Sequence, residues 1–272
     1  MGKRWKALAL VPWVFLVGCT PASNLDHKAD RTQNPAKDAR WLTLIVKAGD
    51  GIEPQPVTLE YESEKCEEPR SYGVGGQSQS GVALMRASHY EKISLDRAPE
   101  NHVYKARFAI DAGGSCQWKL VSLETSFKYR SHHPLAQGKE AISNREKFAF
   151  RSEKDSVRTP NVRVNFEYFP VVYLHDHPSE NRFRLQKKSM FFPPSLDPSE
   201  SGTMTLEPKV FGDMAMTVGE DPQSRRNYVV AYPDGAKGTS WSRDVVGVED
   251  KRMQCLLSPA KQNCARFSPI KR

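Results

Sequence analysis

The chain of 272 residues contains only five cysteines. No two of them stand as C-x-x-C or in the spacing with histidine that a zinc site uses. Long runs of helical period are scarce, which argues against a helical bundle. No segment repeats at a fixed period, which argues against solenoids and propellers. The longest apolar stretch, residues 7–17, is too short for a membrane span, which takes roughly 20 residues. Catalytic signatures are equally sparse. "GQSQSG" at residues 76–81 misses the G-x-S-x-G nucleophile elbow, and "GVGG" at 73–76 lacks the spacing of a dinucleotide loop. "SPAK" at 258–261 has no S-D-N or K-T-G to accompany it. No catalytic residue and no cofactor is expected.

What is present is β-forming. "WLTLIVKA" is apolar and β-branched from Trp41 onward. "VTLEYE" alternates Val57, Leu59 and Tyr61 with Thr58, Glu60 and Glu62, the pattern of a strand with one buried face. "VYKARFAI" sets Tyr104, Ala106, Phe108 and Ile110 on one side, and "CQWKL" turns Cys116, Trp118 and Leu120 inward together. "KFAFR" and "VRVNFEY" continue the alternation through Phe148, Phe150, Val162, Val164, Phe166 and Tyr168. "AMTV", "NYVVAY" and "RMQCLL" are further strand candidates. Glycine and proline punctuate often, at "AGDG", "DAGG", "FPPSLDPSESG" and "YPDGAKG". Many short strands with frequent turns predict an all-β fold, a β-sandwich. The charged stretch "RSEKDSVRTP" either separates two β lobes, residues 41–152 and 160–272, or is a surface loop in one domain.

The N-terminus carries Lys3, Arg4 and Lys6 ahead of the apolar stretch, the order of a secretory leader. It closes on Leu16, Val17, Gly18 and Cys19, and this "LVGC" resembles the lipobox of bacterial lipoproteins. The resemblance implies cleavage after residue 18, lipidation of Cys19 (diacylglycerol on sulfur, acylation of the new amine) and a stable membrane anchor. Thr20, in place of an Asp, implies the outer membrane, facing the periplasm. Residues 19–40 are polar and without period, and are expected to form a flexible tether. At about 5–6 Å × √n its reach is roughly 25 Å.

Loss of the leader removes three positive charges, so the formal net charge of +8 falls to +5. A modest positive excess suits a solvated face near anionic lipid, and nucleic acid is a poor partner for an exported protein. Four cysteines remain: Cys66, Cys116, Cys255 and Cys264. An even number in an oxidising compartment predicts two disulfides. Three pairings are possible, and proximity favours Cys255–Cys264 with Cys66–Cys116.

Two segments stand out as sites. In "YLHDHP", an extended chain would turn His175 and His177 to one face, where two imidazoles could share a metal ion; no third ligand is nominated. In "FRLQKKSMFFPPSL", a basic stretch adjoins aromatics, the pairing found at protein interfaces. Lys187 and Lys188 would steer an acidic partner, and Phe191 or Phe192 would fill a pocket on it. The alternative is that both Phe side chains pack beneath their own loop.

Taken together, the lipobox, short tether and disulfide-bearing β fold are similar to the lipoprotein immunity proteins of type VI secretion. The resemblance implies a non-catalytic inhibitor of a toxic effector, often a lipase. Two other functions fit the same residues. One is an envelope assembly or structural lipoprotein that binds a membrane protein or a glycan, and the other is a metal-dependent hydrolase using His175 and His177.

Overall fold

A computed structural model describes residues 28–269, apart from 75–76, 155, 159–160, 190–192, 244–249 and 259–262. The leader, Cys19 and residues 20–27 therefore lie outside the described residues. The first half of the chain forms β1 (Trp41–Lys47), β2 (Ile52–Pro54), β3 (Val57–Val74), β4 (Gln77–Ile93), β5 (Asp96–Arg97), β6 (Val103–Ala109), β7 (Asp111–Gly113), β8 (Trp118–Tyr129), β9 (Glu140–Ile142) and β10 (Asn144–Ala149). The second half forms β11 (Val157–Arg158), β12 (Asn161–Tyr173), β13 (Arg182–Lys187), β14 (Leu196–Asp197), β15 (Gly202–Val210), β16 (Met216–Asp221), β17 (Ser224–Ala231), β18 (Lys237–Ser240) and one α-helix, α1 (Lys251–Leu256).

With 56% strand and 6% helix, the protein is all-β, as the alternation predicts. One sheet has six strands, in the order β10-β8-β3-β4, with β2 and β7 also paired to β8. The other has ten, running β18-β17-β16-β12-β15-β1-β6-β5 with β13 and β9 attached, and it curls into a half-barrel. The two sheets close on a shared core. Leu42 and Leu44 of β1, Leu59 and Tyr61 of β3, Trp118, Leu123 and Phe127 of β8, Phe148 of β10 and Leu206 of β15 are all buried there. These are the inward positions of the alternating segments, so the periodicity chose the core. The ten-stranded sheet draws strands from both sides of residues 151–160, because β1 lies parallel to β15, with Leu44 opposite Met204.

Strand β12 organises the second half. Its first part alternates, with Val162, Val164 and Phe166 buried and Asn161, Arg163 and Asn165 exposed. From Tyr168 to Tyr173 every residue is buried. Tyr168 belongs to the main core, whereas Phe169, Val171 and Tyr173 belong to a second, smaller core with Met216, Val218, Val230, Met253 and Leu257. The strand also changes partners. It pairs with β15 as far as Tyr168 and with β16 from Val171, so Pro170, which has no N–H to donate, falls in the gap.

One predicted strand is a helix instead: "RMQCLL" lies in α1 and its C-terminal end. Asp250 caps it, its carboxylate accepting from the Met253 amide at 2.9 Å. Arg252 is drawn into the fold by Asp234, at 2.6 Å, and by the Phe267 carbonyl, at 2.8 Å. The capped turn satisfies backbone groups that an isolated strand there would leave open. Both predicted disulfides are present. Cys66–Cys116 joins β3 to the β7–β8 turn, and Cys255–Cys264 closes the helical end of the chain.

Residues 28–40, expected to belong to a free tether, are instead laid down on the six-stranded sheet. The Ala29 amide donates to Glu68 at 3.0 Å, the Trp118 indole donates to the Asp30 carbonyl at 2.9 Å, and Ser115 donates to the Asp30 carboxylate at 2.7 Å. The Asn34 amide donates to the Ala112 carbonyl at 2.9 Å. Polar residues that lack a hydrophobic period find specific partners here, which composition could not reveal. The glycines of "DAGG" make room for them. A Cβ on Gly113 would sit 2.4 Å from the Asn34 carbonyl oxygen, and one on Gly114 would sit 2.1 Å from that of Thr32. Arg40 ends the segment with a two-pronged grip on Asp111, at 2.6 and 2.5 Å.

The Arg40 bond holds the Asp111 carboxyl below its ordinary value. A depressed carboxyl stabilises the fold above its unfolded value of about 4, and that contribution is lost as pH falls through the lower folded value. Both side chains remain partly wet, so the grip should contribute about 1 kcal/mol. Arg40→Ala is expected to raise amide exchange at Asn34 by about tenfold near pH 7 and to leave exchange in β8 unchanged. Unaltered exchange at Asn34 would show that the segment is held without this clamp.

Candidate functional site

A cleft of about 470 Å³ opens where β12, β13 and β15 meet. Its lining includes Asn165, Phe166 and Glu167 of β12, Lys187 and Ser189 at the end of β13, and Glu207 and Lys209 of β15. The strand register explains the lining. Glu167 lies opposite Lys209, and Asn165 opposite Glu207, all on positions that alternate with the buried ones.

The carboxylates around the cleft are matched by cations. Lys188 donates to Glu167 at 2.8 Å, while Lys47 and Arg163 flank Glu207 at 3.1 and 3.6 Å. Lys188 and Lys209 both lie over the ring of Phe211, at 5.0 and 4.8 Å. Deeper in, Glu146 has a fully buried side chain. Tyr168 donates to one of its oxygens at 2.9 Å, and Lys187 approaches the other at 2.5 Å, an ion pair without hydrogen-bond angles. Burial, reinforced by Glu146, pushes the Tyr168 phenol far above its ordinary value, so it stays a donor. Such a surface can exchange ion pairs with a charged partner.

The predicted interface residues divide at this cleft. Lys187, with Arg184, belongs to β13, which is hydrogen-bonded to both β12 and β9. Arg184 donates to Asn144 at 3.0 Å. Lys187 and Lys188 serve internal ion pairs, and both sit beside the cleft. Phe191 and Phe192 lie outside the described residues.

The two histidines are not in a strand. His175 follows β12, where Glu180 approaches its Nδ1 at 3.7 Å and Arg243 its Nε2 at 3.4 Å. A guanidinium at Nε2 competes with a cation for the same lone pair. His177 is exposed and precedes a short 3₁₀ turn at Pro178–Glu180. Among the described residues no three His, Cys, Asp or Glu side chains come together to hold a metal ion.

A second surface escaped the sequence reading. β3 and β4 are 18 and 17 residues long, and β8 accompanies β3 only as far as Ser63. From Glu67 opposite Arg86 outward, the two strands continue together as a ribbon. Leu84 and Met85 on this arm are 67% and 48% exposed. The missed signal was one of charge: no acidic residue occurs between Glu68 and Glu91, whereas Arg70 and Arg86 do. The chain matches no protein-family model, no curated protein and no solved structure.

Proposed function

We propose that the protein is a lipid-anchored, non-catalytic protein-binding module on the periplasmic face of the outer membrane. Its role is that of an immunity protein, and its partner is a secreted toxin of the lipase type. One observation supports this reading above the others: Ala29, only ten residues after Cys19, is already hydrogen-bonded to the body at Glu68. Fully extended, that stretch spans at most about 35 Å, so a lipid on Cys19 would hold the fold at the membrane surface. An inhibitor of a lipid-attacking enzyme is most useful there, because tethering raises its local concentration. The two disulfides fit the oxidising compartment that the leader implies. The cleft beside Lys187 offers a charged docking surface.

Cys19→Ser is expected to leave the protein unprocessed and absent from outer-membrane fractions. Wild-type protein captured from the envelope of cells under attack should carry a phospholipid-hydrolysing effector and suppress its activity. Unchanged fractionation of the Ser variant would remove the anchor. Capture of only a resident assembly protein or a glycan would remove the inhibitor role.

A further inference from the structure

We propose that the β3–β4 arm rests in the headgroup layer of the membrane that carries the protein, with Leu84 and Met85 in contact with phospholipid. The inference builds on the anchor at Cys19 proposed above. The arm begins where the N-terminal segment docks: Glu68, which accepts from the Ala29 amide, lies next to Glu67, the first residue of the two-stranded ribbon. From Glu67 to Val74 the ribbon runs eight residues, about 26 Å at 3.3 Å per residue. The chain from Ala29 back to Cys19 spans at most about 35 Å. Anchor and arm thus leave the body at one place and reach over comparable distances.

The surface of the arm fits lipid. Leu84 and Met85 are neighbours in a strand, so their side chains leave opposite faces of the ribbon, and both are exposed. A protein docking on one face would leave the other residue in water, whereas a fluid lipid layer can cover both. Arg70 and Arg86 are exposed on the same ribbon; Glu67 and Glu68 lie opposite Arg86 and Met85 at its root, and beyond them no acidic residue follows until Glu91, so the outer ribbon carries no charge that anionic headgroups would repel. The ribbon cannot go deeper. Among the described residues no strand pairs with its outer edges, so their N–H and C=O groups must keep water, which places the ribbon among headgroups rather than acyl chains.

The test uses the full chain in its own membrane. A photoreactive benzophenone amino acid is placed at position 84 or, in a second variant, at position 85. A control variant carries it at position 241, where Trp241 is also 66% exposed but follows β18 at the far edge of the ten-stranded sheet. After irradiation, mass spectrometry should find phospholipid adducts at 84 and 85 at about ten times the yield at 241. Equal yields at all three positions, or protein adducts alone at 84 and 85, would overturn the proposal. The N-terminal peptide from the same digest reports on Cys19. Acylated Cys19 without lipid adducts on the arm refutes the arm contact alone. Lipid adducts with unmodified Cys19 refute the anchor and leave the contact standing.

Discussion

Removing the Cys66–Cys116 disulfide is expected to lower unfolding stability by about 4 kcal/mol, the loss of a closure over a sequence separation of 50 in the chain-entropy model. Cys255–Cys264, with a separation of 9, should contribute about 3 kcal/mol by the same reasoning. Either is a large share of a typical total of roughly 5–15 kcal/mol. The longer loop has a local reason to matter more. Cys66 lies in the irregular stretch of β3 between Glu62 and Glu67, where pairing to β4 breaks. There the Ser63 hydroxyl accepts from the Cys66 amide at 2.6 Å and donates to the Cys116 carbonyl at 2.7 Å. Bridge and hydroxyl together fasten the root of the arm to the turn on which residues 30–34 are seated. Urea unfolding of Cys66→Ala/Cys116→Ala should show the larger drop and Cys255→Ala/Cys264→Ala the smaller. A loss below about 1 kcal/mol for the first pair would mean that the denatured chain is not the state the bridge constrains.

Lys187→Met should cost about 3 kcal/mol or more, because among the described residues it leaves the buried Glu146 carboxylate with the Tyr168 hydroxyl as its one close partner. Adding Glu146→Gln to Lys187→Met should return a substantial part of that loss, since the amide oxygen still accepts from Tyr168 and no charge is left unpaired. The midpoint of urea unfolding for the two variants checks this. Equal stability of Lys187→Met and wild type would show that the pair is not closed in solution. The expectation also changes the meaning of charge reversal here. At Lys187 it would report on folding, so a steering role in partner binding is better tested at Lys209, whose contact is the face of Phe211.

The architecture was legible because strands with one buried face must alternate. Tyr104, Ala106 and Phe108 of β6 and Val162, Val164 and Phe166 of β12 are buried at the positions that period two selects. The disulfide partners were legible in part. An even number of cysteines beyond Cys19 led to the expectation of two bridges, and proximity ranked the pairings. The site was far less so. "FRLQKK" reads as a basic exposed stretch, yet its Lys187 answers Glu146, 41 residues earlier on the opposite sheet. Residues 28–40 read as linker because the contacts that seat them, to Glu68, Asp111 and Trp118, are to residues distant along the chain. "RMQCLL" has the apolar content of a strand, and its helix depends on Asp250 as cap and on Asp234 as partner for Arg252. The sequence by itself determined strand faces, turn positions and cysteine number, since these follow from neighbours along the chain. Tertiary structure alone decided which charges are spent on internal pairs, where the N-terminal segment lies and which hairpin outruns its sheet. Those outcomes depend on which distant strands become neighbours, and local alternation carries no information about register between them.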